Sequence, residues 1–324
     1  MGGHRARARV SHPALRPAAR FPHRARWDGI GRVRGSGSRD APLVSRVRIV
    51  TDSTSDVPTA IAEQLHITVV PAYVQIGARS YREGPFPGGL SREAFYAQLP
   101  TMPDVPTTAV PPAHEFAAAY RDLIGQADEV VAIVVASNLS GMYNVAHLGA
   151  REVPELPVHV IDSGQVTMGL GWMAIIAAEA AAEGQSAADV VALIEGIRDR
   201  VYVYAMLDTL EYLRRSGRVS WARTKMAQVL RVKPIIQVYR GEVSNVGRAR
   251  TRRRAVDRLI EHIRALGTLD RLALLHTYSP DLDEFQAQLS DLSPTAHPPT
   301  VAVTTIIGAH VGPQGLGVAA VAGR

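Results

Sequence analysis

The sequence predicts an α/β fold of mainly parallel sheets with helices on both faces. Three observations carry this expectation. Short β-branched runs alternate along the chain with apolar or amphipathic segments of helical length. Small polar clusters follow several of the predicted strands, where open α/β sheets present their ligand-binding ends. The 324 residues are 46% hydrophobic and 20% charged, which is enough apolar material for one large domain or two joined ones.

Residues 1–45 stand apart from this pattern. They hold ten Arg and two Asp among Pro, Gly, Ala and Ser, and show no hydrophobic periodicity. They read as a disordered Arg-rich tail. A second reading makes them an artefact of the gene start, with translation beginning near Leu43, Val44 or Val47.

The elements then follow in order. Val47–Thr51 is a short apolar strand, and Pro58–His66 a helix with Pro in its first turn, capped by Ser55 or Asp56. Ile67–Ile76 is a β-rich run. Ser91 caps a helix through Leu99, and Pro112–Gly125 is helical. Glu129–Ala136 is a buried strand, Ser140–Arg151 a helix and Val158–Ile161 a strand. Thr167–Glu183 is a long apolar helix ended by Gly184; it reads as an ordinary buried helix, and its small residues would also suit the wall of an apolar tunnel. Ser186 caps a helix through Arg200, followed by a strand over Val201–Leu207. Two short helices (Thr209–Arg214 and Trp221–Leu230) lead to a strand at Lys233–Arg240 and a hairpin turn at Arg240-Gly241. Thr251–Leu266 is helical, Arg271–His276 a strand and Asp281–Ser290 a helix. Val301–Ile307 is a strand, and a glycine-rich strand runs to Ala322.

Composition removes whole classes of chemistry. There is no cysteine, so disulfides, thiolate metal sites and cysteine nucleophiles are out. The eleven histidines are scattered without metal-ligand spacing, so no metal or cofactor is expected. The net charge of +6 misleads, because the first 45 residues carry +8 and the remainder −2. A nucleic-acid role is therefore not expected for the body, though the tail leaves one open for itself. No apolar run is long enough to span a bilayer and no signal-peptide core is present, so the cytoplasm is the expected address.

Five polar clusters are the candidate site. They are Thr51–Asp56, Pro106-Thr107-Thr108, Ser137–Gly141, Asp162-Ser163 and Gly308–Gly312, the last carrying His310. Each alone is an ordinary helix cap. Together, on one α/β scaffold, they suit a single carboxylate better than a polyphosphate, since no dense set of arginines and no P-loop accompanies them. Ser140 lies in Leu-Ser-Gly-Met and not in a nucleophile elbow. A small acyl-ester hydrolase or anion transferase using Ser137 or Ser140 with His310 is the alternative reading.

Seven ordered strings resemble the DegV family. They are Ile49–Asp56 (IVTDSTSD), Pro106-Thr107-Thr108, Ser137–Tyr143 (SNLSGMY), Val160–Ser163 (VIDS), Leu210–Val219 (LEYLRRSGRV), Val232–Ile236 (VKPII) and Ala309–Gly317 (AHVGPQGLG). The resemblance runs from about Val47 to Arg324. It implies similarity to FakB, the fatty-acid-binding subunit of bacterial fatty acid kinase. The implied fold has two domains, 46–195 and 196–324, with a ligand tunnel between them and the last strand and His310 returning to the site. The implied function is a non-catalytic carrier that buries one long-chain fatty acid, such as palmitate, and presents its carboxylate to a kinase subunit of the FakA type.

Carried across by position, Thr108, Ser137 and His310 would hold the carboxylate. Ser53, Thr54, Thr107, Ser140, Gly141, Asp162, Ser163, Gly169 and Gly312 would support the pocket, and Arg214, Arg215 and Arg218 would face the kinase. A monomer or weak dimer with transient membrane contact is expected. The chain departs from the family pattern at Ala109-Val110, which replace Ser-Gln, and at Met142, which replaces Thr or Ser. These changes imply either a more apolar pocket mouth or a different ligand.

Overall fold

The computed structural model describes residues 46–84, 90–219, 222 and 232–324. The expected tail (1–45) and most of the expected helix at Trp221–Leu230 lie outside the described residues.

Three sheets organise the chain. The first has four strands, β1 (Val47–Asp52), β2 (Thr68–Val70), β6 (Glu129–Val134) and β7 (Val158–Asp162), in the order β2-β1-β6-β7 and all parallel. Their near-continuous Val/Ile/Ala runs suit strands covered on both faces. The second is a small antiparallel sheet of β3 (Tyr73–Ile76), β4 (Arg79–Arg82) and β5 (Thr107–Ala109), in the order β4-β3-β5. The third has six strands: β8 (Val201–Met206), β9 (Lys233–Tyr239), β10 (Glu242–Ala249), β11 (Leu269–His276), β12 (Thr300–Ala302) and β13 (Leu316–Ala322), in the order β10-β9-β8-β13-β11-β12.

The α/β class is as expected, but parallel pairing is confined to the first sheet and to the β11–β12 edge of the third. Every other pair in the third sheet is antiparallel. The reasons are local and long-range at once. The Arg240-Gly241 turn has both residues at positive φ (48° and 79°), which is the geometry that reverses β9 into β10. The last strand, β13, then inserts between β8 and β11, antiparallel to both.

Ten helices are described: α1 (Thr59–Gln64), α2 (Arg92–Gln98), α3 (Ala113–Arg121), α4 (Met142–Arg151), α5 (Thr167–Ala182), α6 (Ala187–Ile197), α7 (Glu211–Ser216), α8 (Arg252–Arg264), α9 (Leu282–Gln288) and α10 (Thr305–Val311). Caps at Ser91 and Ser186 are as their sequences predict, and Thr251, expected as the first helical residue, caps α8; each hydroxyl accepts from an amide three residues on. The cap expected for α1 is not. Pro58 occupies that position, while Ser55 and Asp56 belong to a 3-10 turn that ends β1.

The long apolar helix α5 reaches the cavity described below only with its first residue, Thr167. It packs against β1 and β6 on one side and β8 and β13 on the other, and all but three of its sixteen residues are buried. A helix apolar all round is a core helix. One further reading is corrected: the run Val301–Ile307 is not one strand. It pairs only as far as Ala302 and then coils into α10.

The start of α10 is held by groups distant in sequence. The Thr304 amide donates to Asp56 (2.8 Å), and the Thr305 amide and hydroxyl donate to Glu83 (amide 3.2 Å). Arg92 bridges these carboxylates, 3.6 Å from Asp56 and 3.0 Å from Glu83. Its guanidinium also donates to the Ala302 carbonyl (2.5 Å), and the Tyr96 hydroxyl donates to the Val303 carbonyl (3.0 Å).

A third buried carboxylate joins the strand ends of the first sheet. Asp52 accepts from the Thr54 amide (2.9 Å) and hydroxyl (2.5 Å) and from the Val135 amide (2.8 Å). Replacing Asp52 by Ala strands both amides without acceptors. The expected loss is about 2–4 kcal/mol of unfolding free energy, with an unchanged denaturant slope, read from urea unfolding curves. Asp52→Asn, which keeps one acceptor, is expected to lose less.

Candidate ligand-binding site

A cavity of about 780 Å³ lies where the carboxyl ends of the first sheet meet one face of the third. That volume falls in the range of small-molecule sites, roughly 300–1,000 Å³. Its apolar wall is built by alternation. On β8, Val203 and Ala205 face the cavity, while Tyr204 and Met206 face the core under α8. Ile236 and Val238 on β9 and Leu275 on β11 continue the surface, and Val243 on β10 closes one side. The turn of that hairpin is strapped to the first sheet. The Gly241 amide donates to the Gly164 carbonyl (2.6 Å), and the Asn138 side chain donates to the Gly241 carbonyl.

Two polar groups of the wall meet from distant parts of the chain. Thr108 on β5 and His310 on the last turn of α10 are 202 residues apart in sequence, yet Thr108 Oγ1 and His310 Nε2 are 3.0 Å apart. Ser137, on the loop after β6, has its amide fixed by Asp162 (3.2 Å). Its hydroxyl has no hydrogen-bond partner among the described residues. Thr54, Ser140 and Gly141 complete the set, so Thr108, Ser137, His310, Thr54, Ser140 and Gly141 all line the same cavity.

The remaining expected residues act at one remove or not at all. Asp162 holds the Ser137 and Gly164 amides, the latter at 2.9 Å. Ser163 is fully buried and turns the chain through Gln165. Ser53 accepts from the Ala72 amide (3.0 Å) and borders a second cavity of about 660 Å³ with Asp56, Glu83 and Arg92. Thr107 points away, since neighbours along a strand face opposite sides, and it is exposed. Gly169 lets α5 sit directly on β8, because a Cβ there would lie 2.7 Å from Val203. Gly312, at φ 80°, gives the same close approach to the Tyr212 ring of α7.

The three arginines expected on a partner-facing patch divide. Arg214 and Arg215 are exposed and pair with Glu211 on their own helix (3.0 and 2.7 Å). Arg218 is exposed as well and also lines the cavity, the one Lys or Arg to do so among the described residues. Burial holds the His310 imidazole down at about 4, and the nearby Arg218 charge adds to the effect. At neutral pH His310 is therefore uncharged, able to donate or accept one hydrogen bond but carrying no formal charge. The residues that depart from the family pattern, Ala109, Val110 and Met142, also line the cavity and add to its apolar surface.

The family model described as "Uncharacterised protein, DegV family" matches residues 46–323. The chain belongs to the DegV family. A DegV domain-containing protein of Streptomyces coelicolor is 36% identical over 277 residues, covering 84% of this chain and 97% of that protein. Among solved structures, a DegV family protein from Thermus thermophilus, described by its fatty acid binding, is 30% identical with a TM-score of 0.77. The match covers 86% of this chain and 99% of that one. DegV from Bacillus subtilis, described as a fatty acid binding protein, is 28% identical with a TM-score of 0.77, over 86% and 100% of the two chains.

Within this DegV chain, sequence reasoning missed most of the apolar lining. Val203, Ala205, Ile236, Val238 and Leu275 look like any strand residues, and only sheet pairing shows which face they share. It also missed the anchoring role of Arg92 and Glu83, whose partners are more than 200 residues away.

Because the native His310 pKa lies below its ordinary 6.5, protons bind more tightly to the unfolded chain. The stability contributed by neutral His310 is present above about pH 6.5 and is lost as pH falls toward 4. His310→Asn is therefore expected to flatten the acid-side decline in thermal midpoint across that window, measured by calorimetry from pH 7 to 4.

Proposed function

We propose that the protein is a fatty-acid carrier that buries one long-chain acyl group and presents its carboxylate to a partner fatty acid kinase. The observation that carries this reading is a large, mostly apolar cavity that the neutral polar side chains Thr108, Ser137 and His310 also line, Thr108 and His310 in contact. An acyl chain fits the apolar wall and a carboxylate these side chains. The fatty-acid binding described for the Thermus thermophilus and Bacillus subtilis relatives supports it.

Most of the affinity comes from the tail. Burial yields about 0.8 kcal/mol per methylene, so a sixteen-carbon chain offers on the order of 12 kcal/mol before ordering costs. The hydroxyls and the imidazole add about 1–3 kcal/mol and fix the orientation of the head group. No group of three metal-ligating side chains is found among the described residues, and the reading calls on none. The protein presents a substrate and leaves the chemistry to its partner, which approaches from the Arg214 and Arg215 side of α7.

The hydrolase alternative is disfavoured by one contact. His310 Nε2 is engaged by Thr108, and no hydrogen bond joins the ring to Ser137 or Ser140 among the described residues. A serine nucleophile would lack its base.

Native mass spectrometry followed by lipid extraction tests the carrier reading. One fatty acid per chain is expected; an empty protein that also fails to take up added fatty acid would overturn it. Ser137→Ala and His310→Ala are expected to slow acyl phosphate formation by a kinase at least tenfold while retaining lipid within a few-fold of the native level. Complete lipid loss from either variant would contradict that division of labour.

A further inference from the structure

The pairing of the third sheet places four cavity residues side by side across four strands. Ile236 on β9 pairs with Ala205 on β8, Ala205 with Gly317 on β13, and Gly317 with Leu275 on β11. All four line the cavity. The row is large at both ends and small in the middle, with one methyl group at Ala205 and none at Gly317. It forms a trough about two strands wide, or roughly 10 Å.

The next row is different. Val243, Val238 and Val203 are paired in succession and line the cavity, but Ala319, which follows Val203, does not. Trp172 of α5 donates to the Ala319 carbonyl (3.1 Å), and Gly169 of α5 is pressed against Val203. The helix thus closes the floor at this row. Space for a flexible apolar chain across β8 and β13 remains over Ala205 and Gly317.

Gly317 is not free to vary. A Cβ there would lie 2.6 Å from the Tyr204 carbonyl oxygen and 3.1 Å from Ala205 Cβ. The backbone spacing demands glycine, so the size of the trough is set by residue 205.

We propose that Ala205, seated in the Ile236–Ala205–Gly317–Leu275 row, sets the length of acyl chain the cavity accepts. This rests on the fatty-acid reading above and adds to it a residue that selects among fatty acids. A larger side chain at 205 fills the trough and shortens the path. Each methylene that can no longer be buried costs about fourfold in affinity.

The test is equilibrium binding of saturated fatty acids from C12 to C18 to the full-length, delipidated protein, read by displacement of a fluorescent acyl probe. Ala205→Leu is expected to bind C16 and C18 acids roughly tenfold or more weakly than the native chain, and C12 within about threefold of it. An unchanged chain-length profile in a folded Ala205→Leu would overturn the proposal alone. Failure of the native chain to bind any of these acids would overturn the fatty-acid reading, and the proposal with it. Should Ala205→Leu not fold, Leu275→Ala enlarges the same row from its other end. It is expected to shift preference toward longer acids, and no shift would count against the row.

Discussion

The site depends on a buried charge cluster that it does not contain. Asp56, Arg92 and Glu83 together hold the start of α10, and α10 carries His310. Burial pushes the Asp56 carboxyl up to about 6, opposed by Arg92 and by hydrogen bonds from Thr167 and Thr304. Such a cluster is costly to bury and costly to break, since losing one partner leaves charge without compensation. Its return is positional. It ties a turn near the start of the described chain and helix α2 to a helix near its end, so that Thr108 and His310 meet.

A second constraint sets the chemistry of the cavity. Thr108, Ser137 and His310 are neutral, its wall is mostly aliphatic, and Arg218 is its one Lys or Arg among the described residues. A fully enclosed carboxylate would be expensive in such surroundings. One placed beside hydroxyls, an imidazole and the Arg218 end of the lining keeps favourable partners while its tail is removed from water. In the proposed carrier, tail burial and head-group orientation fall to different elements: the third sheet supplies one, and β5, the loop after β6 and α10 supply the other.

Much of this is legible in the order of residues alone. The polar strings after β1, β6 and β7 mark strand exits because small hydrogen-bonding residues follow β-branched runs. Helix starts at Ser91, Ser186 and Thr251 are legible because their caps are local. The misreading of Val301–Ile307 has the opposite cause. Val, Thr and Ile favour strand, and the acceptors that cap α10, Asp56 and Glu83, lie 248 and 222 residues away from the amides they receive. The long helix α5 is legible as apolar, but its packing between two sheets is not.

The amino-acid order by itself determined the α/β class, the polar residues of the candidate site and the family, since each is written in short ordered strings. Only the tertiary structure decided which strand faces enclose the cavity, that the third sheet is mostly antiparallel, that Arg218 lines the site while Arg214 and Arg215 do not, and that a trough of small residues crosses the floor. The physical reason is that these depend on pairing register and on contacts between residues far apart in the chain. Local sequence carries no record of which distant partner will supply the other half.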